Sequence, residues 1–424
     1  MTGLLILLVY IAIFAGSFFV VKFLVQSATR DFTSLKTVTF GDESAVVSNR
    51  IASVVSILTI FLIWGSFTGS NMLPGFLHAP APFVGDTEFT YTVDDGSGQT
   101  AEATVFVKVY DFGDDVETFK VDEGSGAARN DTLAMNASRS KTLIFDKNDD
   151  FKRKEGAMIV AIDGESISPG QPIKNAKGRF ALTDKGAISF TPPVGLQMDP
   201  VYLPPPESVL SRFWEISSEG YRNFTLWEHL GYSLFRVISG FLFGAIVGIP
   251  LGYAMGLNGW FRGWFDPIVE FMRPVPPLAL IPLIIIWFGI GEVGKIILLF
   301  LAALWIMAIS ARSGVSGVGI TKVHAAYSLG ASKWQIMRHV IIPNSLPDIF
   351  TGARVAMGVC WGTVVAAELV AASQGAGMMI MVASKFTLTD IVIMGIILIG
   401  VIGFCIDMLM RWAENKLVPW KGRS

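Results

Sequence analysis

Residues 324–343 read HAAYSLGASKWQIMRHVIIP and lie between two apolar runs, 296–311 and 349–372. Ala325, Ala326 and Ala331 carry little bulk, Gly330 can end a helix, and Pro343 is placed to stop a second one. The pattern predicts a helix–turn–helix: a short first helix, a turn over 330–332, and a second helix from about Lys333. A surface of such small residues lets the groove of another protein close tightly around it. The segment is therefore read as a rigid handle attached to its two flanking runs.

Those runs belong to a chain of 424 residues that is 52% hydrophobic and only 16% charged, with a mean hydropathy of +0.53. Soluble domains carry about 25% charged residues, so much of this protein must face lipid. A bilayer core of about 30 Å takes roughly 20 apolar residues as helix. Seven runs qualify or nearly so: 4–25, 51–67, 237–257, 275–290, 296–311, 349–372 and 391–410. The first has no basic residue before it and is read as a retained anchor rather than a signal peptide. Cys360 and Cys405 both fall in apolar runs and are read as buried small hydrophobes.

Lys and Arg set the orientation. If the helices alternate, Arg262, Arg312, Lys322, Lys333, Arg338, Arg411, Lys416, Lys421 and Arg423 share one side. That side is the cytoplasm. It holds the 29–50 loop, the 324–343 connection and the 411–424 tail, and the N-terminus starts outside. Residues 78–200 carry 20 acids against 13 bases and fall on the outer side.

This acidic block has β periodicity. Residues 88–93 alternate, Asp94-Asp95-Gly96-Ser97-Gly98 turns, and 101–110 alternate again, which predicts a hairpin. Further short runs at 158–162, 179–182 and 187–190 predict a small all-β sandwich. The hairpin resembles one that closes bacterial cadherin-like or immunoglobulin-like repeats. Here it comes first, which implies a circularly permuted domain with both ends brought to the membrane. Asp94, Asp95, Asp146, Asp149 and Asp150 could supply hard oxygen ligands to calcium; solvated turn residues are the preferred reading, and no metal site is assigned. Val209, Phe213, Ile216, Phe224 and Trp227 at near-helical spacing predict one amphipathic interfacial helix over 206–230.

The 324–343 segment resembles the EAA loop of binding-protein-dependent ABC importer permeases. Ala325, Ala326, Gly330 and Pro343 match that pattern, with Leu329, Ala331 and Ser332 inside it, and His324 stands where Glu is expected. A neutral His supplies no charge to the helix macrodipole or to a partner at that position. The resemblance spans about residues 200–420. Residues 270–277, 287–291 and 366–369 are similar to the nitrate/sulfonate/taurine branch, most of all to taurine permeases. The family implies one helix before the long outer connection, which 51–67 fits; the helix at 4–25 and the 78–200 block depart from its short form.

The fold expected is an all-α polytopic membrane protein of the type I importer class, with about seven membrane helices, the permease part over 230–410, and an inserted all-β domain. The resemblance implies a transporter subunit rather than an enzyme. Its partners would be a second permease copy, a separate ABC ATPase that holds ATP and magnesium, and a periplasmic or lipid-anchored solute-binding protein; no nucleic acid is expected. The solute would be taurine or another sulfonate, with nitrate, another small anion or a thiamine-type precursor as alternatives. The rival from another class is a membrane-anchored β-domain scaffold or adhesion protein, which would have no use for the 324–343 elbow.

Within the membrane runs, Gly240, Gly244, Gly248, Gly252 and Gly256 recur every four residues, a stripe that lets backbones approach closely; a hinge aided by Pro250 is the alternative. Charges near membrane runs are costly and face protein or water. Glu270 and Arg273 share a helix face. Arg354 and Glu368 lie inside 349–372, where Glu368 is either a gate or pathway group or half of an internal salt bridge. Residues 289–295 have the frame Gly-x-x-x-x-Gly-Lys, but Ile296 replaces the magnesium-holding Ser or Thr and no strand precedes it. ATP binding there is not expected.

The charge distribution sets a topology that protease can check. Added from outside, protease should cut within 78–200 and spare 313–345; the opposite pattern would invert the orientation.

Overall fold

The computed structural model describes residues 2–28 and 50–420. The expected cytoplasmic loop at 29–50 falls almost wholly outside the described residues, as do the last four residues of the tail. The chain divides into two compact units, 1–208 and 209–424.

In the first unit, α1 (Thr2–Ala28) and α2 (Arg50–Thr68) are apolar helices, and the Tyr10 ring meets Phe67 at 4.4 Å between centroids. Nine strands follow. With β4 at Lys141–Leu143, β6 at Glu165–Ser166 and β7 at Ile173–Asn175, the first sheet has the order β3-β2-β1-β5-β6 and the second β4-β9-β8-β7. The expected hairpin is β1 (Gly85–Asp94) and β2 (Thr100–Tyr110), antiparallel with Phe89 opposite Val105. Strands β5 (Met158–Ile162), β8 (Gly178–Leu182) and β9 (Ile188–Thr191) occupy the other runs read from the sequence. Strand β3 (Asp131–Asn136) was not foreseen, and it pairs with β2 in parallel. The alternation works as the pleat requires: Phe89, Tyr91 and Val93 all point into one core, where Phe89 meets Phe180 at 4.8 Å and Phe190 at 5.3 Å. The two sheets therefore share a single apolar interior.

The ends of this block are tied together. Phe83 donates to the Pro193 carbonyl at 3.1 Å, Leu196 donates to Pro80 at 2.7 Å, and Met198 donates to Phe67 at the end of α2 at 2.8 Å. Neighbouring ends are what an inserted domain needs to leave its host chain undisturbed.

The second unit is helical. Residues 219–225 separate helix α3 (Pro206–Ser218) from α4 (Leu226–Leu257), which begins at a capping box formed by Thr225 and Glu228. The single helix expected over 206–230 is therefore two. Arg222 and Asn223 take positive φ between them, and Tyr221 and Phe224 bond to each other. Next come α5 (Gly259–Met272), α6 (Ile281–Phe288), α7 (Glu292–Ser316), α8 (Ile320–Ser328), α9 (Lys333–Ile336), α10 (Ile342–Ala371), α11 (Ala376–Lys385) and α12 (Thr389–Leu417). Helices α4, α7, α10 and α12 enclose one core that includes Val237, Leu299, Met307, Ala356 and Trp361.

Among the described residues, five helices are long and apolar enough to cross a membrane, or six if the pair α5 and α6, bent by 92°, counts as one span. Five or six of the about seven expected are thus found as long apolar helices among these residues. The run 275–290 does not make a straight helix, because Pro274, Pro276 and Pro277 break it and leave α6 only eight residues. The remaining expected run, 4–25, lies within the 27-residue apolar helix α1.

Inside the β block, Tyr91 is fully buried, and its hydroxyl donates to Asp149 Oδ2 at 2.8 Å with Asp131 Oδ2 at 3.4 Å. One proton cannot satisfy both carboxylates. Burial, followed by the charge of Asp149, pushes Asp131 up to about 7, although Lys147 opposes the rise. Burial also raises Asp149 against the pull of Lys152 and Arg129. Between the free aspartate value of about 4 and about 7, folded Asp131 keeps a proton that the unfolded chain releases. Its contribution is therefore greatest at acid pH and is lost as pH rises through 7. Hydrogen exchange, corrected for intrinsic rates, should show weaker protection of β1 and β3 at about pH 8 than at about pH 5, and Asp131→Asn should flatten that difference.

Candidate functional site

The glycines of α4 lie directly on α7. A Cβ at Gly240 would sit 2.3 Å from Leu299 Cβ, one at Gly244 2.5 Å from Ala303 Cβ, and one at Gly252 2.3 Å from the Ala308 carbonyl. A Cβ at Gly248 would lie 2.7 Å from the Leu304 carbonyl, and one at Gly256 2.8 Å from Val315. No side chain fits at these positions, so the stripe is a packing face.

One turn before Gly240, the same face carries Arg236, whose side chain is fully buried. Its Nη1 donates to Glu368 Oε1 at 2.5 Å and to the Gln374 carbonyl at 2.9 Å. Its Nε and Nη2 form a two-pronged pair with Glu292 at 2.5 and 2.6 Å. Glu292 also accepts from Lys295 Nζ at 3.1 Å. Ser233 Oγ lies 2.8 and 2.9 Å from the two Glu368 oxygens and accepts from the Ala376 amide at 3.0 Å. The Gly377 amide donates to Glu368 Oε2 at 3.0 Å, so Glu368 caps the N-terminus of α11. His229 completes the set, accepting from the Gly375 amide at 3.1 Å and bonding the Tyr221 carbonyl through its other nitrogen. Two cations balance two anions. Gly375 must be glycine here, since a Cβ would meet the Glu368 carboxylate at 2.4 Å.

Of the charged residues singled out from the sequence, Glu368 is thus an internal ion-pair and capping group. Arg354 binds Glu414 and lies 3.6 Å from Asp407, tying α10 to α12. Glu270 accepts from Arg312 at 3.1 Å, and Arg312 also binds Asp266, so α5 is held to α7. Arg273 is 67% exposed and reaches Glu270 only at 4.0 Å. Sequence reading missed Arg236, Glu292, Ser233 and His229. The signal available was the spacing 236, 240, 244, which continues the glycine stripe by one turn.

The elbow has the helix–turn–helix expected. Helix α8 closes with the Ala331 amide on the Ala326 carbonyl at 3.1 Å and Gly330 at φ +82°, a left-handed stop that glycine suits. Ser332 and Gln335 then form a capping box for α9. Tyr327, Leu329 and Trp334 project outward at 70%, 89% and 69% exposure, His324 and Ala325 are exposed, and Ala326 is half-buried.

Pro343 does not stop the second helix. It sits in the first turn of α10, after one widened turn at Met337–Ile341, and the helix runs on. The widened turn accommodates the ring, which would clash with the residue 339 carbonyl in a regular helix. Because Pro347 has no amide to offer, the Pro343 carbonyl accepts instead from Trp420 Nε1 at 3.1 Å.

The five candidate aspartates do not converge. Asp94 and Asp95 accept amides of their own turn, Asp146 pairs with Arg153, Asp150 pairs with Arg129, and Asp149 is committed to Tyr91 and the Arg129 amide. Among the described residues, no three His, Cys, Asp or Glu gather as a metal site. Cys360 is buried as expected, but Cys405 is exposed on α12.

The family described as "Binding-protein-dependent transport system inner membrane component" matches residues 240–419. The taurine transport system permease protein TauC of Escherichia coli is 46% identical over 226 residues, which cover 53% of this chain and 82% of that protein. A putative ABC transporter permease protein of Methanocaldococcus jannaschii is 40% identical over 53% of this chain and 84% of its own length. The putative aliphatic sulfonates transport permease protein SsuC of Escherichia coli is 38% identical, with 51% and 81% covered.

Removing Glu368 leaves the buried Arg236 with Glu292 as its one remaining carboxylate, so that two cations face a single anion. Glu368→Ala should destabilise the helical unit by about 3–5 kcal/mol, and Glu368→Gln, which keeps hydrogen bonds, by less. Thermal unfolding in detergent measures both; equal, small effects would show that the cluster is not a lock.

Proposed function

Since the chain belongs to the family of binding-protein-dependent transport system inner membrane components, we propose that it lines the path by which an ABC importer carries taurine or a related small sulfonate inward. The chain is a multi-pass, non-catalytic permease subunit that works with a soluble binding protein and a separate ATPase. The solute class rests on the identity with permeases named for taurine and aliphatic sulfonates. Two copies form the path, with the elbow and C-terminus cytoplasmic and the β block, a sandwich-like domain, outside.

The observation that carries the mechanism is the shape of the elbow. Two short helices meet at Gly330, their tip residues Tyr327, Leu329 and Trp334 are bare, and Ala325 leaves room for a partner groove. Apolar side chains exposed together on a polar loop call for a protein cover. The ATPase supplies it. Docking passes motion into α10 because α9, the widened turn and α10 form one helical path.

Gly330→Pro forbids the positive φ, and Ala326→Trp fills the docking face. Either should cut uptake of labelled taurine roughly tenfold or more, the factor for ~1.4 kcal/mol of lost docking, while membrane content by immunoblot is unchanged. Normal uptake would remove the elbow from the coupling path.

A further inference from the structure

Helix α5 is amphipathic the wrong way round for a surface that meets water. Trp260, Trp264, Ile268 and Phe271 recur at helical spacing on one face, and all four are exposed. Trp260 and Trp264 stack at 5.9 Å between centroids. The opposite face carries Asp266, Val269 and Glu270; Val269 is fully buried, and Arg312 of α7 holds both carboxylates. The charged side is thus turned into the protein and the apolar side out. The level of this helix is fixed by its neighbours. Gly256, in the last turn of α4, packs on Val315 in the last turn of α7, and Asn258 then caps α5. Further along, Asp266 and Glu270 both meet Arg312. The contact level on α7 therefore moves only from residue 315 to residue 312, about 4.5 Å of rise, whereas the 14 residues of α5 span about 21 Å. The helix runs across the ends of α4 and α7 rather than alongside them, and the segment Pro277–Phe288 after it turns away by 92°.

We propose that α5 lies in the plane of the cytoplasmic membrane surface as an interfacial anchor, its bare aromatic face sunk among acyl chains and its end arginines set against anionic headgroups. The inference rests on the orientation proposed above, which makes this side cytoplasmic, and goes beyond it by naming what covers α5. Interfacial helices bury an apolar face about 5–10 Å into the boundary between headgroups and acyl chains, and tryptophan is enriched at that depth. Left to water, the face would hold four large apolar side chains bare together. A helix docked by a soluble partner has no need to keep to the level at which two spans end. The charge fits as well. Arg262, Arg273 and Arg312 face only Asp266 and Glu270, so one positive charge is in surplus. Arg312 is turned inward, and the surplus is carried by Arg262 and Arg273, exposed near the two ends of the helix. The anionic lipids of a cytoplasmic leaflet complement it.

The test places the photocrosslinker p-benzoylphenylalanine at position 264 and, separately, at position 271 of the full chain. The permease, purified with its ATPase, is set in nanodiscs of equimolar phosphatidylglycerol and phosphatidylcholine. After irradiation, mass spectrometry should find lipid adducts at both positions, with phosphatidylglycerol favoured by about twofold or more. Arg262→Gln and Arg273→Gln together, both at exposed positions, should abolish that preference while the adducts persist. Capture of a second permease copy or of the ATPase in place of lipid would overturn the anchor, and so would equal capture of the two lipids by the unsubstituted helix. The side of the membrane is read separately, from Gly263→Cys in a Cys405→Ser background. A Cβ at Gly263 meets nothing within 4 Å, so the change is tolerated. A membrane-impermeant maleimide should label it only after spheroplasts are opened. Labelling from outside, with the lipid adducts intact, overturns the orientation and with it the cytoplasmic placing of the anchor, whereas protein adducts with labelling only from inside overturn the anchor and leave the orientation standing.

Discussion

The absence of any side chain along one face of α4 allows its backbone to rest on α7, and the rest of the helical unit is arranged around that contact. Gly240, Gly244, Gly248 and Gly252 each leave under 3 Å for an added carbon, so the approach is set by backbone against backbone and Cβ. In lipid there is no hydrophobic drive to bring helices together, and close van der Waals packing is what remains. Arg236 continues the same face, so the contact that seats the glycines also drives a guanidinium into the interior. That charge is tolerable because Glu292 at the start of α7 and Glu368 near the end of α10 are both within 2.5 Å of it. Buried ion pairs are weak sources of net stability but strong sources of register. Here the register concerns four elements at once, because Glu368 also holds the Gly377 amide in the first turn of α11.

The lock and the elbow lie on the same helical path. From Lys333 to Glu368 the chain is helical throughout, roughly 50 Å at 1.5 Å per residue. One end carries the turn at Gly330, and the other carries the carboxylate that meets Arg236. The widened turn at Met337–Ile341 is the one interruption, and such turns concentrate at functional positions. Under the coupling proposed for the elbow, a displacement there has a rigid route to the lock, and the place where the route can bend is adjacent to Pro343.

How legible this was depended on the range of the interaction. The β1–β2 hairpin, the glycine stripe and the turn at Gly330 are local patterns, and each was readable from spacing alone. The partnership of Arg236 with Glu368 spans 132 positions and leaves no local trace; a hydropathy window also trims a charged residue from the end of a run, which is why the run taken as 237–257 began one residue too late to include it. The parallel strand β3 was missed for the same reason, since its partner β2 ends about twenty residues earlier and nothing in six residues announces a parallel neighbour. Pro343 was misjudged differently. Proline stops a helix from within but is welcome in its first turn, and only the widened turn before it shows which case applies.

The phosphate-loop frame at 289–295 shows how a motif can be spelled by packing. Gly289 takes φ +73° to end α6, and Gly291 is the extended residue that starts α7. Gly294 lies where a Cβ would be 3.1 Å from Ile284, so it lets α6 fold back against α7. Lys295, only 7% exposed, donates to the half-exposed Glu292 and joins Arg236 in balancing it and the buried Glu368. Each residue of the frame is thus accounted for by a helix end, a close approach or a charge. The preceding element is a helix rather than a strand, so no backbone cradle for phosphate is formed. The lysine that would have faced a nucleotide is held inward by the same glutamate that pairs with Arg236.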